Sequence, residues 1–175
     1  TFTDAAGNES AESAPLTVTI DTTAPDAPTS APLLDSASDS GTEGDGITSD
    51  NTPTLTGSGA VPGDTISLYD SAGALLGAST VAADGTYSVT PDSPLADGTQ
   101  NLGVTFTDAA GNESVESDPL SVTIDSEAPA APTLSLQNDT GTSSTDGVTN
   151  DGDVVVAGLE PDASWEYSVD GGGSW

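Results

Sequence analysis

The chain of 175 residues contains no lysine, arginine or histidine, although it carries 29 aspartate and glutamate side chains. A chain without cationic side chains cannot neutralise phosphate groups, which excludes ordinary nucleic-acid binding and attraction to anionic lipid surfaces. Its side chains cannot form ion pairs either, so nothing within the chain offsets the repulsion among its carboxylates. The acidity therefore predicts either a solubilising surface or a bound cation that supplies the missing positive charge.

Cysteine is also absent, which excludes disulfide bonds and thiolate chemistry. Without histidine, cysteine or lysine the common nucleophile and base pairs of enzymes cannot be assembled. The 2 Trp, 3 Tyr and 2 Phe residues are too few to line a glycosidase cleft. No apolar stretch approaches the ~20 residues that a membrane-spanning helix needs. These absences predict a protein that is not an enzyme and does not insert directly into a membrane.

The sequence contains a long internal repeat. Residues 1–29 and 105–133 are identical at 23 of 29 positions at an offset of 104 residues. A period of this length is typical of tandem domains that each fold as a unit. The D-G-x-T motif of residues 45–50 returns in residues 146–151 and marks a third, divergent copy. We therefore predict the end of one repeat in residues 1–21, a complete repeat in 22–125 and the first part of another in 126–175.

Apolar and polar residues alternate with a period of two in many short segments, as in Leu102, Val104 and Phe106. Turn-forming Gly, Pro, Asp and Asn residues bound these segments, which favours β-strands. The fold class predicted is all-β, with tandem immunoglobulin-like, seven-stranded antiparallel β-sandwich domains. The strands of the complete repeat are predicted at residues 30–35, 52–57, 65–69, 74–80, 86–90, 100–107 and 119–125.

The same alternation predicts strands outside the complete repeat. Leu16, Val18 and Ile20 mirror the last strand of the complete repeat. Residues 164–170 alternate in the third copy, so Trp165 is predicted to face inward.

A seven-stranded sandwich sorts its loops to two poles. The loop of residues 108–112 is predicted at the pole where the chain enters, here termed the N-terminal pole, next to Asp21 at the end of the preceding repeat. Carboxylates of Asp21 and Asp108, the amide oxygen of Asn112 and backbone carbonyls are the hard oxygen ligands that Ca²⁺ takes. Mg²⁺ favours a smaller octahedral cage, and Zn²⁺ is disfavoured without Cys or His.

The opposite, C-terminal pole is also acidic. The loop after the first strand carries four acidic residues within residues 35–45, and it is predicted to approach Asp125, the counterpart of Asp21. The alternative for any single aspartate is a turn former that binds its own backbone. The candidate cation ligands at this pole are Asp35, Asp39, Asp45, Asp50 and Asp125.

Three motifs give the chain a resemblance to a known family. They are T-D-x-A-G-N at residues 107–112, V-T-I-D-x-x-A-P at 122–129 and D-G-x-T-x-D-x-T-P at 45–53. Together they resemble the bacterial immunoglobulin-like repeats of giant RTX-type and biofilm-associated surface adhesins. The resemblance implies Ca²⁺-stiffened extender domains, with Asp21, Asp108 and Asn112 at one joint and Asp125 at the next. It also implies type I secretion, tethering at the outer membrane, and neighbouring repeats of the same chain as partners.

Two functions remain open from the sequence. The first is a structural spacer that projects a distal ligand-binding region for attachment or biofilm formation. The second is a module that itself binds a glycan or a protein, for which Trp165 and Trp175 are the candidate contacts.

Overall fold

The computed structural model describes residues 1–161 and 163–174. Over these residues the chain forms ten β-strands and no helix, so no described helix has the length and apolar character that a membrane crossing requires. The chain divides into two compact units, residues 1–126 and 127–175. The strands are β1 (Leu33–Leu34), β2 (Ile47–Thr48), β3 (Leu55–Ser58), β4 (Thr65–Asp70), β5 (Leu75–Thr80), β6 (Thr86–Val89), β7 (Gly98–Thr107), β8 (Leu120–Ile124), β9 (Thr133–Leu136) and β10 (Val154–Ala157).

The first unit is a sandwich of two sheets. The smaller sheet has the order β1-β3-β6 and the larger has the order β2-β8-β7-β4-β5. Neighbouring strands run antiparallel except β2, which pairs in parallel with β8. The seven predicted strands are confirmed as β1 and β3–β8, each within three residues of its predicted bounds. The two-residue strand β2 was not predicted, because it is too short to show alternation.

The alternation places the apolar side chains of the strands on one face of each sheet. These two apolar faces pack against each other and form a shared core, as expected for packed sheets. Tyr87 of β6 meets Phe106 of β7 edge to face, with ring centroids 5.6 Å apart, and so joins the two sheets. Within the strands, the fully buried apolar side chains come from both sheets and are Leu55, Ile66, Leu68, Val89, Leu102, Val104, Val122 and Ile124.

Two buried serines hold the segment that leads into β8. The Ser114 backbone N–H donates to the Phe106 carbonyl (2.9 Å), and its hydroxyl accepts from the Phe106 N–H (3.0 Å). Ser117 makes the same pair of bonds with Val104 (2.9 and 3.1 Å). Hydroxyl oxygens thus replace strand carbonyls as acceptors, and the buried N–H groups of β7 stay satisfied without a regular partner strand.

The strand predicted around Leu16, Val18 and Ile20 is not formed, and these side chains are 86%, 63% and 81% exposed. The near-identical segment in β8 pairs with β7 and β2 and buries its apolar face. A strand needs partners for its N–H and C=O groups and a surface for its apolar side chains. Within the described residues no strand pairs with residues 16–20. The assignment of residues 1–21 to a preceding repeat stays a prediction.

The second unit contains one antiparallel pair, β9 and β10. The strand predicted over residues 164–170 with inward aromatic rings is wrong for the described chain: no strand forms there, and Trp165, Tyr167 and Val169 are 52%, 72% and 89% exposed. A two-stranded sheet is marginal by itself. It offers no opposite layer against which an alternating segment could bury its apolar face.

The serine contacts lead to a stability prediction. Ser114→Ala removes the acceptor of the buried Phe106 N–H, so we expect the free energy of unfolding to fall by about 1–3 kcal/mol. Urea unfolding of the whole chain measures this loss. The matched control is Ser10→Ala, because the Ser10 hydroxyl accepts from the Phe2 N–H in the same way (2.9 Å) at an exposed position. A loss for Ser10→Ala as large as that for Ser114→Ala would contradict the role given to burial.

Candidate functional site

The loop that follows β7, residues 108–112, is built around one carboxylate. The Asp108 carboxylate accepts from the backbone N–H groups of Ala110 (2.8 Å) and Asn112 (2.9 Å) and from the Asn112 side-chain amide (2.9 Å). These bonds, first of all that from the Asn112 side chain, hold the pKa of Asp108 below its usual value. Gly111 has a φ of 89°, which favours glycine at that position.

The same loop occurs in the first copy with the same geometry. Asp4 accepts from the N–H groups of Ala6 and Asn8 and from the Asn8 side chain, each at 2.9 Å. Gly7 repeats the positive φ at 88°. Since residues 1–20 lack the strand partners of the complete repeat, the loop shape is a local property of the D-A-A-G-N sequence.

The loop of residues 108–112 contacts the segment that precedes the complete repeat. The Asn112 side-chain amide donates to the Asp21 backbone carbonyl over 3.2 Å. The Asp21 carboxylate accepts from the Thr23 N–H (3.0 Å) and is exposed. Asp21, Asp108 and Asn112 therefore meet at the N-terminal pole, although the metal role assigned to them stays a prediction.

Sequence reasoning missed a buried carboxylate at this pole. Asp64 immediately precedes β4, and the residue as a whole is only 7% exposed. Burial, together with the nearby Asp108 carboxylate, raises the pKa of Asp64 above its usual value. The sequence shows Asp64 only as part of a Pro-Gly-Asp turn, and the signal that could have found it is its position two residues before the buried Ile66.

Separate contacts satisfy most of the aspartates predicted at the C-terminal pole. Asp35 accepts from the Ala37 N–H and Asp45 from the Ile47 N–H, each at 2.9 Å, so both act as turn formers. Burial raises the pKa of Asp50, but hydrogen bonds from the Ser38 hydroxyl and from Thr52 outweigh it and leave the pKa low. These three carboxylates are thus occupied by their own loop.

Asp39 differs from the other aspartates in this loop. Its Oδ2 accepts from the Gly44 N–H (2.6 Å), whereas its Oδ1 is buried without a hydrogen-bond partner. Asp139 repeats this arrangement in the second unit: its Oδ2 accepts from the Gly147 N–H (3.1 Å) and its Oδ1 is again buried and unpartnered. A buried oxygen without a donor is costly, so its occurrence in both copies needs an explanation.

Asp125 lies beside this loop, because its backbone N–H donates to the Thr48 carbonyl (2.9 Å). The chain ends of the complete repeat are therefore at opposite poles, with Asp21 at the loop after β7 and Asp125 at the loop after β1. Among residues 1–161 and 163–174, no group of three or more acidic side chains converges as a metal cage would require.

The oxygen atoms that could act as metal ligands at each pole suit a hard cation only in part. The oxygens available are carboxylates, a side-chain amide and backbone carbonyls, which are the ligand types of Ca²⁺. The unpartnered Oδ1 of Asp39 fits a cation better than it fits an apolar contact. The carboxylates of Asp35, Asp45 and Asp50 fit the turn-former interpretation instead.

Comparison with known proteins identifies the fold family. Residues 26–126 match the family model of the bacterial Ig-like domain. Because this match covers more than half of the chain, the chain belongs to the bacterial Ig-like domain family, as its motifs predicted. No curated protein matches the chain.

Two solved structures are similar to part of the chain. One is the BSP domain of a biofilm associated protein, with 25% identity and a TM-score of 0.36 over 57% of this chain and 15% of that structure. The other is a tetra-tandem repeat in the extending region of a large adhesion protein, with 30% identity and a TM-score of 0.34 over 51% of this chain and 24% of that structure. The chain thus spans less than a quarter of each.

The loop after β1 depends on a buried hydroxyl. Thr48 is 1% exposed; its Oγ1 donates to the Ser38 carbonyl and accepts from the Asp50 N–H. Thr48→Val preserves the shape but leaves both groups without their partner, so we expect a loss of about 1–3 kcal/mol in unfolding free energy. Thermal unfolding of the whole chain measures it. Thr54→Val is the control, because the Thr54 hydroxyl bonds only the Thr90 hydroxyl at the surface (3.0 Å). Equal losses for the two variants would disprove the assignment.

Proposed function

We propose that this chain is part of a structural extender, a row of repeats that projects a distal ligand-binding region of a large bacterial cell-surface adhesin. The observation that carries the proposal is that one repeat begins and ends at opposite poles. Asp21 contacts the loop that follows β7, while Ile124 pairs with Gly98 at the other end of the ten-residue strand β7. At about 3.4 Å per residue the poles are ~30 Å apart, so each repeat adds length to the row.

The repetition in the sequence supports the same function. A sandwich that closes its own core can be repeated without changing its neighbours, and only the joints set the shape of the row. The linker that begins at Asp21 is short, and Pro25 and Pro28 restrict its backbone without fixing one angle. A stiff extender therefore needs a further constraint at the joint.

We infer that Ca²⁺ supplies this constraint. Asp21, Asp108 and Asn112 would hold it at the N-terminal pole, and Asp125 would take the place of Asp21 at the next joint. Asp39 is the best-supported ligand at the C-terminal pole because of its unpartnered oxygen. Bound Ca²⁺ would supply the positive charge that the chain lacks and reduce the repulsion between carboxylates.

This function places the protein outside the cell. We propose that it is secreted by a type I system and tethered at the outer membrane, with biofilm formation or surface attachment as the role of the complete adhesin. Neighbouring repeats of the same chain are its partners. In this role the repeat performs no catalysis.

The alternative function, a glycan- or protein-binding module, has one observation in its favour. Trp165 is half exposed, and its ring lies 6.3 Å from that of Tyr167. However, the offset of 101 residues that relates Asp50 to Asp151 also relates the fully buried Ile66 and Leu68 to Tyr167 and Val169. These positions belong to the core of a complete repeat, which favours the structural role. Trp175, the other candidate contact, lies outside the described residues.

Calcium should stabilise the repeat specifically. A ligand that binds only the folded state adds ~4 kcal/mol at a thousandfold excess over its Kd, so the melting temperature in millimolar Ca²⁺ should exceed that in chelator. Sodium chloride screens charges over ~8 Å at physiological strength but does not bridge carboxylates, so it should give a smaller shift. Calorimetric melting curves in the three solutions measure both effects. If NaCl at equal ionic strength reproduced the Ca²⁺ shift, the acidic residues would be only a solvated surface.

Calcium should also stiffen the joint. In a tandem of two copies of residues 22–125, Asp125 of the first copy occupies the position of Asp21 at the joint. Asp125→Ala in that copy should leave both sandwiches folded and let them bend. Small-angle X-ray scattering in Ca²⁺ should then give a shorter maximum dimension than for the unsubstituted tandem. Chelator should shorten the unsubstituted tandem similarly. The control is the Asp26→Ala equivalent in the same linker, because Asp26 is exposed and its loss should not change the dimension. Equal extension of all the variants would leave the prolines as the only constraint.

A further inference from the structure

One peptide bond of the complete repeat combines a nucleophile with a good leaving group. Of the 12 prolines only Pro119 follows an aspartate, and the bond between Asp118 and Pro119 lies immediately before β8. Both residues are exposed. The nitrogen of a peptide bond to proline carries no hydrogen, and it takes up a proton and departs more readily than other peptide nitrogens. The carboxyl group of Asp118 is close enough along the chain to reach its own main-chain carbonyl carbon.

The structure adds a hydrogen-bond donor to this carbonyl. Ser117 is 8% exposed, and its hydroxyl donates to the Asp118 carbonyl over 2.8 Å. The same hydroxyl accepts from the Val104 N–H of β7 (3.1 Å), which directs its proton towards the Asp118 carbonyl. A fixed donor at a carbonyl oxygen stabilises the negative charge that develops there when the carbon is attacked. The fold therefore holds an activating group against this bond.

The Asp118 carboxyl group is not committed to another role. It accepts no hydrogen bond in the described part of the chain. The strands beside it, β7 and β8, contain no titratable residue. In its own segment, Glu113 accepts from hydroxyl groups of β4 and β7, and the Glu116 side chain lies over Gly103. Asp118 can therefore rotate freely towards its own carbonyl carbon.

We propose that the bond between Asp118 and Pro119 is an acid-activated self-cleavage site. A carboxyl oxygen of Asp118 adds to the adjoining carbonyl carbon while Ser117 stabilises the carbonyl oxygen. The bond to the Pro119 nitrogen breaks, and that nitrogen takes the carboxyl proton. The cyclic anhydride that remains on Asp118 then consumes one water molecule and opens to two carboxyl groups. Acid is required because the leaving nitrogen needs a proton.

The position of the bond determines what the cut would do. It separates residues 1–118 from β8 and from everything that follows it. The cut strand would be held only by its pairing with β7 and β2. In a row of repeats, such a cut would replace a covalent connection by a sheet contact. This consequence rests on the proposed extender function, whereas the cleavage itself does not.

The test follows the whole 175-residue chain for several days at about pH 4, where aspartates in water are about half protonated, and at neutral pH. Intact-mass spectrometry should find fragments 1–118 and 119–175 at the acidic pH and not at neutral pH. Lowered pKa values keep Asp50 and Asp108 charged at this pH, so their loops should persist, which circular dichroism checks. Asp118→Ala removes the nucleophile and should abolish both fragments.

The first copy of the repeat supplies a matched control. Its residues Ser13, Ala14 and Pro15 correspond to Ser117, Asp118 and Pro119, and they are exposed and belong to no strand. Ala14→Asp therefore creates a second Asp-Pro bond with nearly the same neighbours but without the anchored serine. Cleavage after residue 118 should be about tenfold faster than after residue 14, a modest share of the ~100-fold that one such donor supplies in enzyme sites.

Two results would overturn the proposal. The first is an intact chain at the acidic pH, which would show that Asp118 does not attack its own carbonyl. The second is equal cleavage at the two Asp-Pro bonds of the Ala14→Asp variant, which would show that the fold and Ser117 contribute nothing. Neither result bears on the extender function, which depends on the joints between repeats.

Discussion

The structure depends on how carboxylates are accommodated in a chain that has no cationic side chain. Many of the aspartates accept hydrogen bonds from nearby backbone N–H groups, as with Asp108 in the loop after β7 and Asp45 in the loop after β1. This solution needs only a few consecutive residues and a turn, which is why Asp4 and Asp108 build the same loop in different surroundings. It explains how so acidic a chain can form compact loops: the acidic side chains organise the turns that connect the strands.

Two carboxylate oxygens are not satisfied in this way. The Oδ1 atoms of Asp39 and Asp139 are buried without a donor, although the Oδ2 atom of each accepts from a backbone N–H. Both aspartates lie in loops next to strand ends, where a cation can enter from solvent. A folded chain seldom retains buried anionic oxygens without a donor unless something offsets their cost. Here the chain offers no internal offset, so the positions of these oxygens predict where an external cation would bind.

The sequence predicted the sandwich well because each of its strands alternates apolar and polar residues between clear turn formers. It predicted the meeting of Asp21 with the loop after β7 because loop order in a sandwich follows from strand order. It missed Asp64, because an aspartate in a Pro-Gly-Asp turn has an obvious local explanation, and only the register with β7 reveals its burial. The strand that the sequence predicted at residues 164–170 is not formed. The strand that it predicted from Leu16 to Ile20 is also not formed, although the matching residues 120–124 do form a strand. Two nearly identical amino-acid sequences therefore adopt different conformations, because β-structure depends on pairing partners more than on the intrinsic strand preference of the residues.

This dependence on partners has a consequence for a row of repeats. The last strand of a repeat is stable only when β7 and β2 are in place beside it, so a repeat folds as a whole and contributes length as a whole. The strand β8 leads directly into Asp125, the residue that would begin the next joint, and the Asp125 N–H donates to the carbonyl of Thr48 in β2. A pulling force along the row of repeats would therefore act at a point where a hydrogen-bonded sheet edge lies next to an acidic loop. In the proposed extender, a cation at each pole would hold together the loops that lie nearest to this point. The same carboxylates would then stabilise the joint against bending and the repeat against unfolding.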